Sequence, residues 1–434
     1  MGKVKGKKIN VVTLGCSKNV VDSEHVMAQL AAAGYDVVFD SNGTEARTVV
    51  VNTCGFIGDA KEESINTILG FVRAKEEGAI DRLFVIGCLS ERYAEELRRE
   101  IPEVDAYFGA RDFSGVVRAL TGSEGGAPAT ERMLTTPGHY AYLKISEGCN
   151  WRCAYCAIPL IRGPHVSVPE EQVLEEAGRL VRRGVKELIV VAQDTTYYGV
   201  DLYGERRLGR LLRRLAAIPG VEWVRLHYTY PTGFPDDVLA AMREEPKICR
   251  YIDIPLQHIA DRQLSAMRRG ITKRGTEELI ARLRREGPGI AIRTTLLVGF
   301  PGESEEDFAE LTDFVERQRF ERLGVFPYSA EEGTPSAEMA DDVPEEVKQA
   351  RVERIMELQR NISHEANVAR IGRKLRVVVD RREGDYYVAR SEYDSPEVDQ
   401  EILIPVAEGR LLPGEFREVV VTACEEYDLY GRLA

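Results

Sequence analysis

The chain has 434 residues, of which 44% are hydrophobic and 30% are charged. These proportions are typical of a folded globular protein and exclude an intrinsically disordered chain, and the length predicts two to four domains. No apolar run approaches the roughly 18 residues that a membrane span needs. The apolar stretch at 9–14 is too short for the core of a signal peptide. We therefore expect a cytoplasmic protein without membrane contact.

The formal net charge of −13 disfavours broad binding to nucleic acid, because phosphate contacts need a basic surface. The charge suits a basic partner, although an acidic balance also aids solubility by itself. The eight cysteines are poor candidates for disulfides in a chain without an export signal. Six of them form two groups of three, whereas Cys249 and Cys424 have no partner spacing and are interpreted as small buried residues.

The first segment alternates short apolar runs with helical patterns, which predicts an open α/β sheet. In chain order, its predicted strands and helices are residues 9–14, 22–33, 48–51, 60–75 and 83–86. The apolar runs are nearly continuous, as expected of parallel strands that are buried on both faces. Residues 121–130 are rich in small and helix-breaking residues and predict a linker, so the first domain is assigned to residues 1–122.

The middle segment repeats this alternation, which predicts a full or partial β/α barrel with its site at the carboxyl ends of the strands. The predicted strands are residues 142–145, 188–191, 223–227, 251–254, 291–298 and 323–326, and the main helices are 170–183, 205–217, 275–285 and 304–319. This domain is assigned to residues 135–366, and its end falls within a helical run at 345–369.

The last segment contains short β runs separated by turns, which predicts a small β-barrel resembling an OB fold. The predicted strands are residues 375–379, 386–389, 401–405 and 418–422. This domain is assigned to residues 367–434.

The strongest local pattern is the sequence Cys149-Asn-Trp-Arg-Cys153-Ala-Tyr-Cys156, directly after the first strand of the middle segment. Thiolates are the usual protein ligands of iron–sulfur clusters. Four irons with three cysteines leave one iron open, and an open iron can chelate the amino and carboxylate groups of S-adenosylmethionine (SAM). Zinc is the alternative, but it normally takes four ligands, and the nearest fourth candidate, His165, follows a Gly-Pro turn. The spacing resembles the signature of radical SAM enzymes, and we call these cysteines the radical SAM triad.

A second group of cysteines is spread through the first segment. Cys16, Cys54 and Cys88 each lie just beyond the carboxyl end of a predicted strand. In an open α/β sheet these ends meet at one edge, where ligands bind. Each cysteine alone is as easily interpreted as a small buried residue. Three in the same structural position predict a metal site, again with three ligands, and we call them the auxiliary triad.

The two triads, in this order and followed by a β-barrel, resemble the radical SAM methylthiotransferase family over nearly the whole chain. The resemblance implies an N-terminal cluster domain, a radical SAM domain and a C-terminal TRAM domain. Members of the family insert sulfur and a methyl group at an unactivated C–H bond, in tRNA or in a ribosomal protein. The segment Gly15-Cys-Ser-Lys-Asn19 and the Gly-Phe-Ile sequence after Cys54 are similar to the branch that modifies ribosomal protein S-12. The tRNA branches usually carry a glutamine–methionine pair after the first cysteine.

The resemblance implies a transferase that adds a methylthio group to the β-carbon of an aspartate in small-subunit ribosomal protein S-12. It implies two 4Fe–4S clusters, one on each triad, SAM as cofactor, and an electron donor such as flavodoxin. One SAM would methylate a sulfur species at the auxiliary triad, and another would yield the 5′-deoxyadenosyl radical that removes hydrogen from the aspartate. The alternatives are a tRNA methylthiotransferase acting on a modified adenosine and, from another class, a non-catalytic iron–sulfur carrier or RNA-binding adaptor.

Five residues at or near predicted strand ends are candidates for contacts with SAM. They are Gln193, Arg225, Asp253, Arg293 and Val298. Polar groups at this edge could hold the ribose, carboxylate or adenine, and Val298 begins a glycine-bearing turn after the fifth strand. Charged residues at strand ends also serve as loop anchors, so both interpretations stay open.

The charge of the C-terminal module bears on the substrate. Residues 368–434 contain ten Lys and Arg against fourteen Asp and Glu, a formal balance of −4. A barrel that grips tRNA should be basic, so we expect no strong tRNA binding and a basic protein as substrate. The alternative is a local basic patch formed by Arg370, Arg373, Lys374 and Arg376. Removal of the residues after Gly372 is expected to impair substrate recognition and to leave SAM cleavage intact.

Overall fold

The computed structural model describes residues 8–41, 45–122 and 127–434. Residues 1–7, 42–44 and 123–126, the last of these inside the predicted linker, lie outside the described residues. The described residues form two parallel sheets flanked by helices, a closed β-barrel and a two-stranded ladder. None of their helices has the length and apolar character needed to cross a membrane.

The N-terminal segment forms an open sheet with helices on both faces. Its elements are β1 (Lys8–Thr13), α1 (Ser17–Ala32), β2 (Asp36–Phe39), β3 (Thr48–Thr53), α2 (Gly58–Glu76), β4 (Arg82–Gly87), α3 (Cys88–Glu100), β5 (Ala106–Tyr107) and α4 (Phe113–Thr121). The strands are parallel in the order β2-β1-β3-β4-β5. Successive β3 residues point to opposite faces, so Val50 packs with α1 and α4, whereas Val49 and Val51 pack with α2 and α3. The predicted open α/β sheet is confirmed.

The central segment forms a six-stranded parallel sheet that curves as a partial barrel. Its elements are β6 (Tyr140–Lys144), β7 (Ser146–Glu147), α5 (Ile158–Arg162), β8 (Val166–Ser167), α6 (Glu170–Arg182), β9 (Glu187–Val191), α7 (Val200–Tyr203), α8 (Leu208–Ala216), β10 (Trp223–Leu226), α9 (Asp236–Glu244), β11 (Ile248–Asp253), α10 (Asp261–Ala266), α11 (Lys273–Glu286), β12 (Ala291–Val298), α12 (Glu305–Gln318), β13 (Arg322–Pro327) and α13 (Glu345–Val368). The long strands follow chain order, β6-β9-β10-β11-β12-β13. Leu188 and Val190 of β9 face the outer helices, whereas Ile189 and Val191 face inward.

The C-terminal segment is a closed five-stranded barrel. Its strands are β14 (Lys374–Glu383), β15 (Tyr386–Ser391), β16 (Ile402–Pro405), β17 (Phe416–Cys424) and β18 (Leu429–Leu433). They close in the order β14-β15-β16-β18-β17. Sequence analysis does not predict β18, which completes the barrel by pairing antiparallel with β17 and parallel with β16. The expected small barrel is confirmed.

Buried charges join the C-terminal barrel to the inner face of the central sheet. The loop between β15 and β16 carries Asp394, which pairs with Arg322, and Asp399, which pairs with Arg293 at 3.2 Å. Both aspartate side chains are almost fully buried. Asp380 of β14 is also largely buried and lies 2.7 Å from a ring nitrogen of His139. The −4 balance of this module therefore overstates its exposed negative charge.

Helix α1 docks the N-terminal domain onto the central one. Val21 packs among inner-face side chains of β6 and β9, including Tyr140 and Ile189. One helical turn further on, the buried carboxylate of Glu24 pairs with the buried guanidinium of Arg132. The start of α1 is thereby held over the mouth of the partial barrel.

Candidate metal centre

The radical SAM triad lies in a loop that a short antiparallel ladder, β7 with β8, closes at its base. This loop begins just beyond the carboxyl end of β6, as predicted. Gly148 has a φ of +80°, and a Cβ there would lie 2.1 Å from the carbonyl oxygen of Pro164. Only glycine permits that close approach. The N–H of Cys149 then donates to the carbonyl oxygen of Gly163 at 3.0 Å, so the loop folds back over the sheet.

Aromatic and basic side chains surround Cys153. The hydroxyl of Tyr230 and Nη1 of Arg269 each lie 3.5 Å from its sulfur. Trp151 stacks on Tyr230 with ring centroids 4.0 Å apart, and its indole N–H donates to Asp194 at 2.7 Å. The guanidinium places a positive charge beside the buried sulfur of Cys153.

The three loops of the auxiliary triad touch one another beyond the carboxyl edge of the first sheet. A Cβ on Gly15 would lie 2.8 Å from the Cβ of Cys54, and a Cβ on Gly55 would lie 2.8 Å from the carbonyl carbon of Cys88. Glycine at both positions therefore permits the loops to pack together. The placement of the cysteines after successive strands brings them to one edge, where sequence analysis expects them.

The cysteines of the two triads differ in acidity because their surroundings differ. Burial raises the pKa of Cys88 to about 11 and the pKa values of Cys149 and Cys156 to about 12. Burial also opposes ionisation of Cys16, but the ammonium of Lys18, the backbone N–H groups of α1 and Arg162 together outweigh it and lower the pKa of that thiol below its ordinary value. Since metals bind thiolates, loading of the high-pKa thiols must be accompanied by loss of their protons.

Arg162 links the two triads. It ends α5, the helix that follows the radical SAM triad, and its Nη2 lies 3.2 Å from the sulfur of Cys88. The same guanidinium pairs with Asp22 of α1 at 2.8 Å and with Glu147 of β7 at 3.1 Å. One buried side chain of the central domain thus contacts the auxiliary triad directly and ties it to the ladder at the base of the radical SAM loop.

The three thiols of each triad suit an iron–sulfur cluster, because cysteine thiolates are the usual protein ligands of such clusters. Among residues 8–41, 45–122 and 127–434, no three His, Cys, Asp or Glu side chains stand close enough together to hold a single metal ion. A cluster spreads its ligands over several irons, so its thiols need not converge on one point. His165, the zinc alternative, has its Nε2 3.1 Å from the hydroxyl of Ser167 instead.

Gln193 lies beyond β9 and faces the loop of the radical SAM triad. Its amide nitrogen donates to Glu147 at 2.5 Å, while its Oε1 is buried and has no donor among the described residues. Burial opposes the negative charge of Glu147, but Lys144 and Arg162 outweigh it and lower the pKa of this carboxyl to about 2. The free Oε1 can accept a hydrogen bond from a bound molecule.

The other four residues predicted to contact SAM occupy different positions. Asp253 ends β11 at the mouth. Its carboxylate lies 3.2 Å from the guanidinium of Arg293, which projects from the inner face of β12. Arg225 is fully buried and donates to Glu187 at 2.7 Å and to a backbone carbonyl of the C-terminal barrel. Val298 packs outward among the helices. Their contacts with SAM stay predictions, and the structure gives Arg225 an anchoring position.

Sequence analysis did not single out Arg162, Arg269 or Lys18. Arg162 follows the last cysteine of its loop closely, so a basic residue near a cluster motif was an available signal. Arg269 and its neighbour Tyr230 come from separate loops of the central domain, and no local pattern connects them with the cysteines.

Comparison with known families divides the chain into three matched parts. Residues 8–109 match the Uncharacterized protein family UPF0004, residues 143–315 match the Radical SAM superfamily and residues 371–434 match the TRAM domain. A protein of Bacteroides thetaiotaomicron named ribosomal protein uS12 methylthiotransferase RimO is 53% identical over 431 residues, which cover 99% of each chain. The protein of the same name from Porphyromonas gingivalis is 55% identical over 428 residues, which cover 98% of this chain and 99% of the relative.

Solved structures share the fold at low sequence identity. The radical SAM methyltransferase TsrM from Kitasatospora setae, solved with cobalamin and a 4Fe–4S cluster, has a TM-score of 0.57 and 16% identity, and the match covers 76% of this chain and 77% of that chain. The cobalamin-dependent SAM radical enzyme OxsB has a TM-score of 0.51 and 12% identity over 81% of this chain and 56% of that chain. These two likenesses concern the fold alone. Since more than half of the residues are identical to RimO proteins over nearly the whole length, the chain belongs to the RimO family of radical SAM methylthiotransferases.

Proposed function

We propose that this protein adds a methylthio group to the β-carbon of an aspartate in ribosomal protein uS12, with SAM as its co-substrate. The observation that carries the proposal is that Arg162, on the helix after the radical SAM triad, contacts Cys88 of the auxiliary triad and also Glu147 at the base of the radical SAM loop. Insertion of a methylthio group needs a radical generator and a sulfur donor close together, and two adjacent metal sites suit that requirement. The relatives that match the whole chain are named as methylthiotransferases of ribosomal protein uS12.

We assign one 4Fe–4S cluster to each triad. Cys149, Cys153 and Cys156 would hold the first and leave one iron open for SAM, and the auxiliary triad would hold the second. When bound, the first cluster would supply the electron that cleaves SAM reductively, and the second would be the site of the sulfur species that is transferred.

The side chains around these sites position the reactants and exclude water. Arg269 sets a positive charge beside Cys153, and the stacked rings of Trp151 and Tyr230 cover that sulfur. Arg162 fixes the two domains relative to each other through its pairs with Asp22 and Glu147. The unsatisfied Oε1 of Gln193 supports its predicted contact with SAM.

The partners we propose are uS12 as substrate and an electron donor such as flavodoxin, without strong binding of tRNA. The net charge of −13 supports association with a basic ribosomal protein and repels a tRNA backbone. The alternative basic patch is partly engaged within the chain, since Arg376 pairs with Glu222 and Arg370 donates to Gln400. Neither guanidinium is therefore a free phosphate ligand.

Mass spectrometry separates the three functions considered. The reconstituted enzyme is incubated with SAM and dithionite, and either uS12 or tRNA bearing a modified adenosine is added. We expect a methylthio group on one aspartate of uS12 and none on the tRNA. A methylthio group on the tRNA alone would favour the tRNA alternative, and an absence of 5′-deoxyadenosine from SAM would favour a non-catalytic carrier.

A further inference from the structure

Lys18 reaches from the N-terminal domain into the mouth of the partial barrel. It lies in the first turn of α1, two positions after Cys16, and its side chain is buried, with the residue 9% exposed. Its Nζ stands 3.2 Å from the centroid of the ring of Tyr228, the second residue after β10. A cationic side chain therefore lies between the auxiliary triad and the carboxyl ends of the central strands.

The ammonium of Lys18 pairs with no carboxylate of the described residues, although Cys16 and Tyr228 favour its charge, whereas the neighbouring buried cations are paired with carboxylates. Lys144 and Arg162 both pair with Asp22 and Glu147. A buried ammonium without a carboxylate partner is costly, and the sulfur of Cys16 and an aromatic face offset only part of that cost. The position therefore has the capacity to bind an anion that comes from outside the chain.

The nearest acidic side chain at this mouth, Asp253, is already engaged. One of its oxygens accepts from Arg293 at 3.2 Å, and the other accepts from the backbone N–H of Tyr228 at 3.0 Å. Asp253 influences Lys18 through space but does not lie within ion-pair distance of its Nζ. It therefore leaves Lys18 available to a ligand.

We propose that Lys18 binds the carboxylate of the substrate side chain and makes the enzyme specific for an acidic residue over a neutral one. The inference rests on the proposed function, which brings an aspartate of uS12 to this mouth. Lys18 then determines specificity within the same reaction.

The chemistry of aspartate explains why a cation belongs here. Its carboxylate is bonded to the β-carbon that receives the methylthio group, so an ammonium that anchors the carboxylate also positions that carbon. Tyr228 has a φ of +54°, a conformation that residues other than glycine rarely adopt. The ring of Tyr228 lies 3.2 Å from Nζ of Lys18 and forms one wall of the position that the ammonium occupies.

The test compares two peptides copied from the uS12 loop, one with aspartate and one with asparagine at the target position. Wild type, Lys18→Met, Lys18→Arg and Lys273→Met are reconstituted as full chains. Lys18→Met keeps a long side chain but removes the charge. Lys273 pairs with Glu310 at the surface, so its variant controls for the loss of one positive charge far from the mouth.

Wild type and Lys273→Met should prefer the aspartate peptide by about 10- to 100-fold in kcat/KM, because a hydrogen bond to a charged group has about that effect. Lys18→Met should lose most of this preference through a higher KM for the aspartate peptide, and Lys18→Arg should retain part of it. Binding of fluorescent peptides, measured by anisotropy, should follow the same order. Circular dichroism and iron content check that each variant is folded and loaded.

An unchanged preference for aspartate in Lys18→Met would overturn the assignment and leave the proposed function intact. A higher KM for SAM with an unchanged KM for the peptide would assign the ammonium to the carboxylate of SAM, which also overturns it. If Lys18→Met does not fold, equal binding of the two peptides to wild type overturns it. Wild type that modifies neither peptide nor intact uS12 would refute the proposed function itself, and this inference with it.

Discussion

The buried ion pair between Asp394 and Arg322 should contribute strongly to the stability of the folded chain. Asp394 is fully buried, Arg322 is 11% exposed, and Asp394 also accepts from the hydroxyl of Ser391 at 2.6 Å. Asp394→Asn leaves a buried guanidinium without its counter-charge. Loss of one partner from a buried pair costs about 3–5 kcal/mol, so we expect the free energy of unfolding to fall by that amount.

The same domain contact offers a matched control. Arg376 of the C-terminal barrel pairs with Glu222 of the central domain at 2.5 Å, but each side chain is 43% exposed. Exposed ion pairs contribute only about 0.2–1 kcal/mol, because water screens them. Glu222→Gln should therefore lower the free energy of unfolding by less than about 1 kcal/mol.

Urea unfolding followed by tryptophan fluorescence measures both variants. Trp223 lies against Phe416 of the C-terminal barrel, with ring centroids 4.9 Å apart, so its emission reports separation of the two domains. The double variant Arg322→Met with Asp394→Asn should recover part of the loss, because it removes the uncompensated charge. Equal unfolding midpoints for Asp394→Asn and Glu222→Gln would refute the reasoning that burial decides the contribution of these pairs.

The free energy that the Asp394–Arg322 pair contributes to unfolding should decrease as the pH is lowered. Burial opposes the charge of Asp394, but Arg322 and Arg370 outweigh it and lower the pKa of the carboxyl below its ordinary value. Because the pKa is lower in the folded state, the ionised carboxyl stabilises the fold at pH values above the pKa of the unfolded state, about 3.9. This contribution is lost as the pH falls toward the pKa of the folded state. The difference between wild type and Asp394→Asn should therefore shrink below about pH 4.

Three further predictions concern the domain contacts and the metal sites. Removal of the residues after Gly372 should abolish SAM cleavage or solubility, contrary to the expectation from sequence. Arg322 and Arg225 would lose their acceptors in the barrel. A 5′-deoxyadenosine assay on the shortened chain checks this. Alanine at all three auxiliary cysteines should leave about half of the wild-type iron, since each triad is expected to hold one cluster; iron content at the wild-type level would contradict the assignment. Arg162→Met should weaken docking of the N-terminal domain by about 3–5 kcal/mol, seen as faster hydrogen exchange in α1, and unchanged exchange there would contradict the linking position of Arg162.

The sequence predicted the parts of the fold that depend on local pattern. The nearly continuous apolar run around Val50 identified a strand buried on both faces, and Cys54 directly after it marked the edge where a ligand binds. The short strand β18 was not predicted, because its residues depend on pairing with β16 and β17. Local hydrophobic pattern carries little information about such a strand.

Contacts between distant parts of the chain could not be predicted in this way. Arg225 was a candidate for SAM because it is a charged residue in a strand of the barrel, but its acceptors come from β9 and from the C-terminal barrel. The −4 balance of that barrel counts Asp394 and Asp399 as equal to exposed acids, although both are buried. Composition gives the number of charges and not their solvent exposure, so an electrostatic argument about a partner needs the structure.

Helix α1 explains how two domains can hold their metal sites at a fixed separation. Lys18, Val21 and Asp22 are spaced three and four residues apart, so they share one face of the helix, and that face contacts the central domain. Met27 and Leu30 lie on another face and pack against the first sheet. Cys16 directly precedes this helix. The position of Cys16 is therefore fixed by the packing of α1 against the central domain on one face and against the first sheet on the other. The separation of the two triads is therefore set by one rigid element, and the predicted linker at 121–130 need not constrain it.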